Sequence, residues 1–168
     1  MARVLVADAL ASESAAAPEE SEETAPVSAM EGPADEPATF PGGLTARITS
    51  VTAQPADLEI YSGDPAFDTL VTVTVEMTPW NNETYPLEGF NVVEDLQYGA
   101  NLYTAQGWMT EGGSGELPKQ VTPGTTVTTI SEHTLPGTEL GELSFEFSPS
   151  SQYEEPWMFT DIEELLAD

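Results

Sequence analysis

The run Val71-Thr72-Val73-Thr74-Val75-Glu76-Met77-Thr78 alternates apolar and polar side chains without interruption. In an extended chain, successive side chains point to opposite faces. Val71, Val73, Val75 and Met77 then share one face, and the threonines and Glu76 share the other. β-Branched residues favour this conformation, and the period does not suit a helix. The run predicts a strand whose valine face lies in a core.

Reading outward from it, the same grammar recurs. Leu44, Ala46 and Ile48 alternate with Thr45, Arg47 and Thr49 and predict a preceding strand. Ser62-Gly63-Asp64-Pro65 separates the two, and Pro79-Trp80-Asn81-Asn82 turns the chain afterwards. Further strands are expected at Tyr85–Leu87, at 90–93, at Leu102-Tyr103-Thr104 and over the Thr-rich 125–131. Two more are expected at Leu143/Phe145/Phe147 and at Trp157–Thr160. The turns between them carry Gly99, Asn101, Pro123-Gly124 and Pro136-Gly137, and 107–120 reads as a glycine-rich mobile loop. About seven or eight short strands at near-regular spacing predict an all-β protein, an immunoglobulin-like antiparallel β-sandwich. A short C-terminal helix is expected after it, with Thr160 as cap, Glu163 three residues on, and Ile162, Leu165 and Leu166 on one face.

Composition divides the chain. Residues 1–41 are rich in Ala, Glu, Pro and Ser and read as a disordered acidic linker; such a segment buries too little apolar surface to offset its ordering entropy. The opening Met1–Ala11, with one basic residue and an Ala9-Leu10-Ala11 end, also admits a remnant of an export leader, although Asp8 interrupts its apolar stretch. Residues 42–168 read as the sandwich, closing on an acidic C-terminal segment.

The 168 residues hold 30 Asp+Glu against 3 Lys+Arg, a formal net charge of −27. Nucleic acid is excluded, because phosphate binding needs Lys and Arg to displace counterions. An anionic membrane surface is disfavoured for the same reason. Self-repulsion favours a monomer, and a protein partner would present a basic surface. There is no cysteine, which excludes disulfides and thiol chemistry. No apolar run is long enough to span a bilayer as a helix.

One order of features carries a resemblance. An opening strand is followed by a Val-rich strand ending at an Asn turn (Val71–Asn82), then an aromatic-led strand at Phe90 and a Gly/Tyr segment (Gly99–Tyr103). Pro123-Gly124 ahead of a strand and Leu143-x-Phe145 near the end complete it. Over roughly 44–160 this resembles the bacterial secreted immunoglobulin-like domains of the DUF4352 type. These are related in architecture to the mycobacterial secreted antigen of immunoglobulin-like fold. In that family the linker follows a lipoprotein signal and its cysteine, and this chain has no cysteine. The resemblance implies an exported, extracellular or cell-surface domain without enzymatic activity, and it supplies no catalytic residues.

The residues themselves offer little chemistry. His133 is the single histidine. It reads as a half-exposed strand residue, with no Gly-x-Ser-x-Gly elbow to present a nucleophile. No catalytic residue and no nucleotide cofactor is expected. Calcium is the one ion whose oxygen ligands are available, at Asp57, Glu59, Asp64, Asp68, Glu94 and Asp95, although neither segment matches an EF-hand. Trp108, with Tyr98 and Tyr103, is the expected aromatic binding surface. The function expected is that of a non-catalytic exported interaction or structural module. A calcium- or carbohydrate-binding module is the alternative, and a hydrolase using His133 or a carboxylate pair is a third reading.

Overall fold

The computed structural model describes residues 30–61 and 63–167. The linker or leader expected over residues 1–29 lies outside them. Among the described residues the chain forms strands β1 (Met30–Pro33), β2 (Ala38–Phe40), β3 (Leu44–Pro55), β4 (Thr69–Pro79), β5 (Tyr85–Pro86) and β6 (Val93–Tyr98). These are followed by β7 (Tyr103–Thr104), β8 (Gln106–Trp108), β9 (Gln120–Val121), β10 (Val127–Leu135), β11 (Leu143–Ser148) and β12 (Trp157–Thr160). One sheet has the order β1-β12-β11-β6-β7 and the other β2-β3-β4-β10-β8; β5 and β9 form a small ribbon. Every pairing is antiparallel except β1 with β12. The fold is the expected immunoglobulin-like β-sandwich, and the strands beyond seven or eight are mostly pieces of two to four residues.

β4 is as its alternation predicts: Val71, Val73, Val75 and Met77 are all fully buried. Their partners are less regular. β3 buries Leu44, Ala46 and Ile48, then also Val51, which lies on the opposite parity. A β-bulge resolves this. Ile48 pairs with Val75 and Ser50 with Thr74, so Thr49 is the extra residue and the strand changes face after it. The second sheet contributes Leu143, Phe145 and Phe147 from β11, Leu96 from β6 and Phe159 from β12, all buried. Phe40 of one sheet meets Phe147 of the other edge-on at 6.1 Å.

The expected boundary at 41/42 is corrected. β1 and β2 lie inside the residues read as linker, and Ala34, Ala38 and Phe40 are core residues. Three apolar side chains scattered among prolines and acids are too few to show a period. Ala34 is placed by the pairing of β1 with β12, more than a hundred residues away in sequence, and Ala38 and Phe40 by the pairing of β2 with β3. The loop expected at 107–120 is also corrected at its start, because β8 extends the second sheet there. Phe90 leads no strand; it sits 85% exposed in a 3-10 turn over Gly89–Asn91.

The C-terminal helix is a single 3-10 turn, Ile162–Leu165. Ile162 is fully buried and Leu166 bridges to Val51, so the apolar face docks on β3. Thr160 does not cap the turn. It belongs to β12, and Asp161, in the left-handed region at φ 58°, makes the break into the turn.

Candidate functional site

β10 brings the site together. Its inward face carries Thr129, Ser131, His133 and Leu135, so three of four core-facing positions are polar. Across the sandwich, Glu94 of β6 shares a face with Leu96 and also points inward. The two sheets separate at this point. The chain crosses from β7 to β8 through buried Ala105, and β8 then follows the edge of β10. The segment after β8 stays on that edge, with Ile130 N–H donating to Gly112 O at 3.0 Å, and closes one wall with the 3-10 turn Ser114–Glu116. A cleft of about 830 Å³ remains, lined by Glu94, Ser131 and His133 within and by Trp108, Met109 and Glu116 nearer its mouth. This volume falls within the roughly 300–1,000 Å³ common for small-ligand sites.

The interior of the cleft is short of hydrogen bonds. Ser131 Oγ, Glu94 Oε1 and both ring nitrogens of His133 are buried there without a partner, as is Thr129 Oγ1, which lies outside the cleft lining. Each such group ordinarily costs about 1–3 kcal/mol, and native interiors hold few of them. Burial pushes the Glu94 carboxyl above the usual carboxylate range, and the nearby charge of Asp95 adds to this. The hydroxyls of Thr129 and Ser114 are close enough to oppose the shift without completing a hydrogen bond to Glu94 Oε1.

His133 is 2% exposed and packs edge-on against Phe145 with centroids 6.0 Å apart. The half-exposed strand residue expected from the sequence is instead an interior one, because the inward face of β10 includes it. Burial lowers its pKa to about 4. The unfolded chain takes up this proton as the pH falls through about 6.5, and the folded chain not until about 4. The associated stability is complete above pH 6.5 and is lost as the pH falls towards 4. Urea unfolding between these limits is expected to show a loss of about 3 kcal/mol that His133→Leu does not share. Glu94 acts with the opposite sign, since a carboxyl with a raised pKa in the fold favours folding as the pH falls.

Gly89 sets the wall of the cleft. A Cβ there would overlap the backbone carbonyl of Ser114, which no rotamer change can relieve. Gly89→Ala is expected to destabilise by about 1–3 kcal/mol and to displace the 114–116 turn. Urea unfolding, with the amide spectrum of 109–116, reads both effects.

The residues singled out in the sequence are dispersed. Asp57 Oδ1 accepts from Glu59 N–H at 3.0 Å and Asp64 Oδ1 from Ala66 N–H at 2.9 Å, each closing a turn. Asp68 Oδ1 accepts from Gly137 N–H at 2.8 Å and from Thr69 Oγ1 at 3.1 Å, and these bonds hold its carboxyl below the usual range. Glu94 faces inward while its neighbour Asp95 faces out. Among the described residues, no three acidic or histidine side chains gather as a metal ion would require.

Trp108 lies at the cleft, held by a hydrogen bond from Nε1 to Thr134 Oγ1 at 3.0 Å and by an edge contact with Tyr61 at 5.5 Å. Tyr98 and Tyr103 pair with each other on β6 and β7, with centroids 5.9 Å apart, and do not line the cleft. Sequence reasoning missed Ser131. The available signal was that both parities of 127–135 carry polar residues, so whichever face turned inward had to carry polar groups.

No protein-family model and no curated protein matches the chain. Among solved structures, the secreted protein MPT63 from Mycobacterium tuberculosis is 8% identical with a TM-score of 0.51, over 78% of this chain and 96% of that one. A functionally unknown protein from Listeria monocytogenes is 12% identical with a TM-score of 0.48, over 74% and 80%. The yjhA protein from Bacillus subtilis is 12% identical with a TM-score of 0.49, over 79% and 97%. The similarity to MPT63 is one of fold: this chain is a β-sandwich of that fold.

Proposed function

We propose that this chain is a non-catalytic, exported immunoglobulin-like module that binds its ligand in the cleft between β6 and β10. The observation that carries this reading is the set of buried, unpartnered polar atoms on Glu94, Ser131 and His133 around an open cleft. Groups left unsatisfied at a cost to stability are what a binding site requires and a structural core avoids. A non-catalytic reading is supported by the arrangement of Ser131 and His133, which among the described residues make no nucleophile–base contact. Ser131 and His133 share one strand face two residues apart, and neither hydroxyl nor imidazole is hydrogen-bonded.

Export is supported by the DUF4352-type pattern of residues and by the fold shared with a secreted protein. The strongly acidic composition supports a solvated, monomeric domain. Among the described residues no helix is long and apolar enough to cross a membrane.

The test is a small-molecule library titrated into the ¹⁵N-labelled full chain. Shifts concentrated at Glu94, Trp108, Ser131 and His133 are expected. Shifts confined to other surfaces, or none, would refute the site. In the same preparation, ester cleavage above that of His133→Ala would refute the non-catalytic reading.

A further inference from the structure

We infer that the cleft receives a primary alkylammonium group, with Glu94 as its counter-ion; this rests on the cleft being the binding site. Glu94 points into it, Glu111, Glu116 and Glu132 stand on the segments that border it, and its lining holds no lysine or arginine. Anions grouped in a partly desolvated recess attract a cation far more strongly than the same charges in bulk water.

The carboxylates are not equivalent. Glu132 Oε2 already accepts from Tyr61 Oη at 3.1 Å and Thr110 Oγ1 at 2.9 Å. Glu116 Oε2 accepts from Gly112 N–H at 2.8 Å. Glu94 Oε1 is buried and accepts nothing. Beyond it stand two more unpartnered groups, Ser131 at 6% and His133 at 2% exposure. An ammonium has three donors and no acceptor. A carboxylate oxygen, a hydroxyl and a neutral imidazole nitrogen are acceptors suited to it. An anion would be repelled. A neutral sugar would leave the Glu94 charge uncompensated.

Such a group occurs on a free amine or on a lysine side chain. The edge beside Glu94 favours the second. β7 pairs only with Gln97 and Tyr98 of β6, and Leu96 O accepts from Ala105 N–H. Backbone groups alternate sides along an antiparallel strand, so those of Glu94 face the same outer edge as those of Leu96. Among the described residues nothing pairs with them there. An extended peptide could add to that edge while a lysine enters the cleft.

The experiment is calorimetry, with amide shifts, on the full chain at low salt. The probes are tri-lysine with an acetylated N-terminus, the same peptide with its side chains also acetylated, spermidine and N-acetylglucosamine. Variants Glu94→Gln and Glu59→Gln are compared, the second removing an exposed acid from a distant turn. Unfolding curves verify that both variants are folded. Tri-lysine is expected to bind, the side-chain-acetylated peptide not to, and Glu94→Gln to weaken binding by about tenfold or more. Glu59→Gln should change it less than about twofold, as expected of a remote screened charge. Spermidine weaker than tri-lysine would identify a peptide as the source, and equal binding a free amine; both uphold the ammonium. Equal weakening by the two variants would show diffuse surface charge and overturn the inference. Shifts at the cleft with N-acetylglucosamine alone would overturn it while leaving the site intact. No shift with any probe would count against both.

Discussion

A chain beginning at Pro41 is expected to lose cooperative folding, or to melt at least about 10 °C below one beginning at Met30. The segment between them contributes β1 and β2. Phe40 and Ala38 are completely buried, Ala34 is 3% exposed, and the Phe40 ring reaches across to Phe147. Removing a buried phenylalanine alone costs about 3–5 kcal/mol. Loss of β1 also strips the parallel partner from β12, and loss of β2 exposes the outer edge of β3. Together these approach the whole margin of a domain, which is typically about 5–15 kcal/mol. Thermal melts of the two chains, followed by circular dichroism, measure the effect. Equal midpoints would mean that the β1–β12 pairing contributes nothing.

Phe145→Ala is the single substitution expected to be most damaging, at about 3–5 kcal/mol in urea unfolding. Phe145 is fully buried at the middle of β11 and stacks against Phe147 with centroids 6.5 Å apart. It is also the ring that meets His133, so its removal opens a void beside an imidazole with no hydrogen bonds. The variant should therefore disturb the cleft as well as the core, visible as a shift of the His133 ring resonances. A loss under about 1 kcal/mol would mean the sheets can close over the gap, contrary to a cleft held open by its walls.

The two sheets were legible where one face of a strand is apolar and the other polar. β4 follows its own alternation from Val71 to Met77 because nothing interrupts it. β3 follows the pattern only as far as Ile48, since a bulge at Thr49 is decided by pairing with β4 and not by β3 itself. β1 and β2 were not legible at all. β1 acquires its structure from distant β12, and β2 is only three residues long amid prolines and acids, so composition alone assigns both to a linker.

The site was hidden for a related reason. Glu94 was one acid in a chain of 30, and nothing local distinguished it from Asp95, which faces outward. Its inward position follows from the register of β6 on β11, where Glu94 pairs with Phe147 and Leu96 with Phe145. His133 lacked a readable side because both parities of β10 mix one apolar residue, Val127 or Ile130, with polar ones before Leu135. Trp108 was legible as a residue outside any clear strand pattern, and it does stand at the cleft.

The central claim is that the polar interior of the cleft is kept for a ligand at the expense of stability. The most direct measurement is urea unfolding of the unliganded double variant Ser131→Ala/Glu94→Gln at neutral pH. Ser131 lines the cleft, is 6% exposed and has an unpaired hydroxyl. Deleting such a hydroxyl removes a desolvation cost, and removing the Glu94 charge removes another. The account predicts a higher unfolding midpoint, worth about 1 kcal/mol or more. A lower midpoint would show that these groups hold the sandwich together, and the cleft would then be no more than part of its core.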